Sequence, residues 1–169
     1  RETLPVQEGP APRSDVRAEL VHCDPEAEAK LVATLLYHFS SEPYQEIWHR
    51  VQDMTSQEQE RVVHETLDHL GPHDIPLREL EVVDYTFDLV MDYGAYREFK
   101  RHRMQTYVSQ PATVDLGYIV PELVTDAGLE EQFRQAMDKA AEGFHRVHEA
   151  FPQVAQYLVT HAHLRRVLS

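Results

Sequence analysis

The sequence predicts an α+β fold, rich in helix and with a small sheet. Three observations carry that expectation. Apolar residues recur every three to four positions in several separate stretches, the spacing of one helical face. One run, residues 83–91, alternates with period two instead, as a half-buried strand does. Helix start signals stand before several of the periodic stretches, and Gly or Pro follows some of them.

Taken in order, residues 16–21 suit a short strand. Asp24 and Pro25 then supply an N-cap and a first-turn proline for a helix that buries Leu31, Val32, Leu35 and Leu36. A second helix over residues 43–54 turns Tyr44, Ile47, Trp48 and Val51 inward, with Trp48 as a core anchor. Thr55 and Glu58 form the capping box of a third helix, whose apolar positions are Val62, Val63, Leu67 and Leu70 and which stops at Gly71-Pro72. In the strand that follows, Val83, Tyr85, Phe87, Leu89 and Met91 are expected to pack, with Asp84, Thr86 and Asp88 on the other face. A turn near Asp92 leads to a helix over residues 93–104, and residues 105–121 read as loop with a short strand. A long helix over residues 126–150 buries Phe133, Met137, Ala140, Phe144 and Val147 as core. Phe151-Pro152 breaks it and starts a last helix, and the sequence stops at Ser169 inside what reads as a helical pattern. Residues 1–15, with Pro5, Gly9, Pro10 and Pro12 among polar residues, read as a linker or disordered N-terminus. Residues 16–169 are expected to form one domain, truncated at its C-terminal end.

Composition narrows the function classes. A length of 169 residues suffices for a core without disulfide or metal staples. The chain carries 16 Lys+Arg against 29 Asp+Glu, a formal charge of −13. That disfavours nucleic acid as a partner, because such binding relies on cations that neutralise phosphates. Cys23, the single cysteine, excludes an internal disulfide and an all-cysteine zinc site, so a cytoplasmic location is expected. Cys23 itself reads as a small buried residue. No apolar run approaches the roughly 18 residues of a membrane span, so a membrane is not an expected partner either.

The chemistry concentrates in Tyr96-Arg-Glu-Phe-Lys-Arg-His-Arg103. Arg97, Lys100, Arg101 and Arg103 are basic, with His102 among them, in a strongly acidic chain. Guanidinium groups clustered in this way suit an anionic small ligand, since they bind phosphate bidentately. Spacing alone favours a simpler account, in which cations gather at the C-terminal end of a helix to complement its dipole.

Resemblance supplies what spacing does not. Leu80-Glu-Val-Val-Asp-Tyr-Thr-Phe87, followed after eight residues by the Arg-His-Arg helix end, resembles the flavin-dependent thymidylate synthase family. That family shows a strand reading Phe-Glu-His-x-x-Phe-Thr-Phe, a turn, and a helix ending in Arg-His-Arg at the same spacing. The resemblance covers most of residues 16–169. It implies a homotetramer that binds FAD between subunits and methylates dUMP to dTMP, with methylenetetrahydrofolate and NADPH as co-substrates. It further implies that Arg101, His102, Arg103 and Thr86 bind the cofactor. Glu98, where the family usually has Gln, Arg101 and Ser109 would lie at the substrate, while the resemblance leaves the catalytic residue unknown. Glu81 matches a family position on the strand that supports the site.

The departures point to a diverged nucleotide site. Ser109, Pro111 and Thr113 stand where the family has Glu, Ser and Arg, and Val82 stands where it has His. An arginine lost from a phosphate site removes charge-assisted hydrogen bonds, and Glu98 places a carboxylate near an anionic ligand. Ser109 has no acid or base partner in the sequence that would make it a nucleophile. One alternative is a non-catalytic family member that serves ligand binding or subunit association. Another is a helical carboxylate metal protein, because Glu46-x-x-His49 and Glu142-x-x-His145 have the spacing of di-iron bundles. Chance supplies about one such pair in a sequence with this much Glu and His, so no metal ligand is assigned. His145 and His148 share a helical face without an evident third ligand.

Overall fold

The computed structural model describes residues 16–169, so the expected linker over residues 1–15 lies outside the described residues. Two compact units divide it. One is Leu20–Thr86; the other is Phe87–Ser169 together with residues 16–19.

In the first unit, three helices enclose an apolar centre: α1 (Ala27–His38), α2 (Tyr44–Gln52) and α3 (Ser56–Leu67). Val32, Ala33, Ile47 and Val51 are fully buried, with Leu36, Trp48, Met54, Val62 and Val63 packed around them, as the helical spacing predicts. Leu70, expected inward, is exposed beyond the end of α3. Asp24 organises the turn before α1 rather than capping the helix itself. Its Oδ1 accepts the Glu26 N–H at 2.9 Å, and its other oxygen pairs with Lys30. That hydrogen bond from Lys30 is the main cause holding the Asp24 carboxyl below its ordinary pKa. The capping box of α3 forms as read: Thr55 Oγ1 accepts the Glu58 N–H at 3.3 Å and Glu58 Oε2 accepts the Thr55 N–H at 2.8 Å. A 3₁₀ turn, Arg78–Val82, follows, and His38 on α1 meets Glu79 in it at 2.8 Å.

The sheet has four strands in the order β1-β2-β4-β3: β1 (Arg17–Cys23), β2 (Tyr85–Asp92), β3 (Val108–Ser109) and β4 (Leu164–Leu168). β4 runs antiparallel to β2, with Leu89 opposite Val167 and Met91 opposite Arg165. It also runs antiparallel to β3, with Ser109 opposite Val167. Its residues were expected to be helical. Leu164, Val167 and Leu168 do fit an i, i+3, i+4 pattern, but five residues are too few for periodicity to decide. Ladders on both sides decide for the strand, and they bury Leu164 and Val167 to 1% and 0% exposure.

β2 begins at Tyr85, two residues after the alternation starts, since the 3₁₀ turn runs to Val82. Its packing also departs from expectation. Val90, on the face with Asp88, is the fully buried residue, whereas Tyr85 is 54% exposed. A carboxylate on a packed face is tolerated here because Arg166 and Arg17 approach Asp88 at 3.7 and 4.0 Å. Val90 forms a core cluster with Leu116, Leu164 and Ile119.

The remaining helices are α4 (Tyr93–Phe99), α5 (Glu122–Asp126), α6 (Glu130–Ala150) and α7 (Pro152–Ala155), the last continued by a 3₁₀ turn over Gln156–Leu158. α6 starts four residues later than read. Gly128, at φ +68°, caps α5 in the left-handed conformation, and the Leu129 N–H reaches the Val124 carbonyl at 3.0 Å. The expected stripe of α6 packs: Phe144 joins Val114 and Ala155 in a cluster flanked by Ala141, Val147 and Val159, and Met137 is buried as well.

His163, just before β4, is 1% exposed. Its Nδ1 accepts the Thr160 N–H at 3.1 Å, which leaves the ring proton on Nε2. Burial holds its pKa below the ordinary imidazole value of 6.5. The unfolded chain therefore takes up this proton first as pH falls. Stability that is complete above pH 6.5 should decline below it, until the depressed native pKa is reached. Denaturant unfolding at pH 7.5, 6.5 and 5.5 should show this decline, and His163→Gln should make it shallower. In the same assay Leu164→Ala should cost about 2–5 kcal/mol as a core truncation, and Leu168→Ala, at 42% exposure, much less.

Candidate functional site

Most of the residues singled out by the sequence lie on α4 or in the segment that follows it, and the placement of α4 rests on three hydrogen bonds from its first-turn N–H groups. Asp92 caps its N-terminus, Oδ1 accepting the Ala95 N–H at 2.9 Å. The Tyr93 N–H donates to the His163 carbonyl at 2.9 Å and the Gly94 N–H to the His161 carbonyl at 3.0 Å. The first turn of α4 is thus fastened to the turn that leads into β4. A side chain at Gly94 would bring a Cβ to 3.0 Å from Asp92 Oδ1, so the cap and the glycine go together.

This fastening sets Tyr93 and Tyr96 against β4. Their rings lie 6.1 Å apart at 21°, and the Arg165 guanidinium sits 5.2 Å from the Tyr93 ring and 4.7 Å from that of Tyr96. Lys100 Nζ is 5.7 Å from the Tyr96 ring. The Tyr96 hydroxyl lies 2.8 Å from Ser109 Oγ, and Arg165 Nη2 donates to the Gln110 carbonyl at 3.3 Å. Arg97 Nη1 is 3.1 Å from His161 Nε2. Because a guanidinium only donates, Nε2 accepts and the His161 proton stays on Nδ1.

α4 ends at Phe99, so the Arg-His-Arg triplet lies in the turn beyond the helix rather than in its last turn. The Tyr107 hydroxyl closes that turn by donating to the carbonyls of Phe99 and His102. Arg101, His102 and Arg103 are all exposed. Arg101 Nη1 donates to Glu98 Oε2 at 2.8 Å, which ties together two residues expected at the substrate. Arg103 forms no hydrogen bond or ion pair among the described residues. Ser109 is half-buried in β3 and Thr86 half-buried in β2.

Pro111 and Thr113 line a cleft of about 600 Å³ with Asp115, Phe144, His145 and His148. His145 Nε2 is 3.6 Å from Asp115 Oδ1, and Phe144 stacks on His148 at 5.5 Å. Among the described residues no group of three or more His, Cys, Asp or Glu is placed to hold a metal ion. Cys23, expected to be buried, is exposed. No helix among the described residues is long and apolar enough to cross a membrane.

The sequence reading passed over Tyr93 and Arg165. Arg165 was hidden by reading its segment as helix. The signal that could have found it is the alternation Leu164, Arg166, Leu168 against Arg165, Val167, which puts Arg165 on the opposite face from Leu164 once a strand is assumed.

Comparison with known proteins places this geometry in context. The family profile described as thymidylate synthase complementing protein matches residues 19–168. A UPF0159 protein of Chlamydia muridarum is 32% identical over 154 residues, covering 88% of this chain and 28% of that protein. A UPF0159 protein of Thermoplasma acidophilum is 30% identical over 137 residues, covering 79% of this chain and 27% of its own length. The chain thus spans little more than a quarter of these curated relatives. Among solved structures, the UMP/dUMP methylase PolB from Streptomyces cacaoi, bound with 5-Br dUMP, has a TM-score of 0.66 at 14% identity. The match covers 92% of this chain and 72% of that one. Thymidylate synthase X from Helicobacter pylori, with FAD and dUMP, has a TM-score of 0.56 at 13% identity, covering 91% and 76%. These structures share the helix-rich α+β fold.

The Glu98–Arg101 pair has a measurable consequence. Glu98→Gln should free the Arg101 guanidinium and remove a carboxylate from the helix end. Calorimetric titration with inorganic phosphate as an anion probe at low salt should then show any association at this turn strengthened by roughly two- to fivefold, the scale of one exposed ion pair. Thermal stability should stay unchanged, because both side chains are 73% exposed.

Proposed function

This chain belongs to the thymidylate synthase complementing protein family, and from that premise we propose that it is a flavin-binding domain of thymidylate synthase type with a diverged nucleotide site. The observation that carries the reading is the exposed Arg101-His102-Arg103 turn at the end of α4, inside the region the family profile matches. An unpaired Arg103 beside His102 suits the pyrophosphate of FAD, because both supply donors that no neighbouring acceptor consumes. In this proposal the triplet and Thr86 contact the cofactor, while Glu98, Arg101 and Ser109 face the nucleotide. FAD, when bound, supplies the hydride for converting dUMP to dTMP, with methylenetetrahydrofolate as carbon donor and NADPH as reductant. The chain's own residues hold and orient phosphates.

A cytoplasmic homo-oligomer, a tetramer by family resemblance, belongs to the same proposal. Exposed apolar surface supports assembly: Leu123, Phe151 and Tyr157 are 81%, 64% and 83% exposed. A second reading, a non-catalytic member that keeps the fold for ligand binding or subunit association, is favoured by Pro111 and Thr113 in place of the family's Ser and Arg.

Absorbance of the purified protein in the flavin bands, before and after incubation with FAD, tests the first reading. Bound flavin should be retained through gel filtration, and Arg101→Ala with Arg103→Ala should weaken its binding by at least about tenfold through lost charge-assisted contacts. A protein that stays colourless and leaves FAD fluorescence unquenched would refute it.

A further inference from the structure

We infer that the exposed aromatic ridge at the corner between α1 and α2 is a docking surface for an arginine-rich segment of another protein. Tyr37, Phe39 and Tyr44 form the ridge. All three lie in the helical unit Leu20–Thr86 and none in the Arg101–Arg103 turn, so the inference is independent of the flavin reading.

The first support is the exposure of rings that the core does not need. Helical spacing turns Tyr44 inward, yet it is 41% exposed, with Tyr37 at 49% and Phe39 at 77%. The apolar centre of the unit closes without them, around Val32, Ala33, Ile47 and Val51. The two tyrosine rings are nevertheless held in place. Tyr44 stacks on Trp48 at 6.3 Å and 20°, and Tyr37 meets Tyr44 edge-on at 6.2 Å. Trp48 packs against the buried cluster and so anchors this end of the ridge to the core. The corner itself is fixed as well, since Ser40 Oγ accepts the Glu42 N–H at 3.0 Å and Pro43 directly precedes α2. Rings that are ordered before contact lose little side-chain freedom on binding, which suits them as anchors.

The second support is charge, which selects the occupant. The unit Leu20–Thr86 holds 14 Asp and Glu against 4 Lys and Arg, a formal charge of −10 out of the chain's −13. Its four cations, Lys30, Arg50, Arg61 and Arg78, each lie within ion-pair distance of a carboxylate already. Glu46, in the first turn of α2, takes part in no ion pair among the described residues. Such a field repels nucleic acid and anionic lipid and draws in a cationic segment. A second copy of the chain would bring the same negative charge to the contact, which opposes self-association there. Arginine fits the rings better than lysine, because its planar, weakly hydrated guanidinium stacks on an aromatic face.

The test is fluorescence anisotropy of a labelled peptide of alternating Arg and Gly, titrated with the full chain at physiological salt beside its Lys and Glu counterparts. The Arg peptide should bind saturably and several-fold tighter than the Lys peptide, and the Glu peptide should not bind. Tyr37→Ala with Phe39→Ala keeps the net charge and removes no core residue, and it should weaken the Arg peptide by at least about fivefold. Tyr37→Leu with Phe39→Leu, which keeps apolar area without a ring, should weaken it similarly, whereas Tyr37→Phe should retain binding. Glu60→Gln with Glu65→Gln on α3 changes the charge away from the rings and should have a smaller effect than the double Ala variant. Unchanged thermal melting should accompany all of these exposed substitutions. Equal affinity in the unmodified chain and both double ring variants would show charge attraction alone and overturn the assignment, as would an absence of saturable binding. It would equally be overturned if self-association of the chain, or binding to phosphatidylcholine vesicles, were lost in the same ring variants, because the occupant would then be a second copy or a lipid surface.

Discussion

The double pairing of β4 is the constraint on which the second unit depends. A five-residue strand with partners on both sides satisfies its backbone groups within the sheet, and Leu164 and Val167 can then be buried on opposite faces. The turn before it supplies carbonyls from His161 and His163 to the first two N–H groups of α4. Helix position is therefore inherited from strand position. Arg165, Tyr93, Tyr96 and Ser109 meet because one short strand sits between β2 and β3.

Several local rules were legible where the decisive interaction was itself local, although Asp24 organises a turn instead of capping α1. The capping box at Thr55 and Glu58, the stripe of α6 and the break at Phe151-Pro152 all depend on residues a few positions apart, and all are found. The errors share a different cause. Leu164-Arg-Arg-Val-Leu168 satisfies helical spacing, and only strands from distant parts of the chain make it a strand. Val90 and Asp88 take the packed face of β2 because arginines from β1 and β4 neutralise the carboxylate, which alternation alone does not reveal. α4 stops short where the chain tightens into i→i+3 bonds, from the Arg101 N–H to the Glu98 carbonyl and from the His102 N–H to the Phe99 carbonyl, which Tyr107 also reaches.

For the site, resemblance identified the Arg-His-Arg turn but not its electrostatic neighbours. Glu98 was read as opposing an anion directly. In the structure it acts first on Arg101, at 2.8 Å, so one substitution changes two features of the surface at once. The basic residues thereby divide into a turn open to solvent and a second group held against tyrosine rings. In a chain of charge −13, that second group is a local reversal of sign maintained by aromatic packing rather than by carboxylates.

The brevity of β3 has a bearing on how the protein behaves at high concentration. β3 closes one side of the sheet, and a strand in that place offers its outer N–H and C=O groups to any other chain that can align with them. Here the ladder lasts two residues, Gln110 still donates to the Arg166 carbonyl at 3.1 Å, and Pro111 then has no N–H to give. An intruding strand would find too short a template to register on. Pro111 therefore also limits strand addition at this edge of the sheet, a consequence unrelated to any ligand.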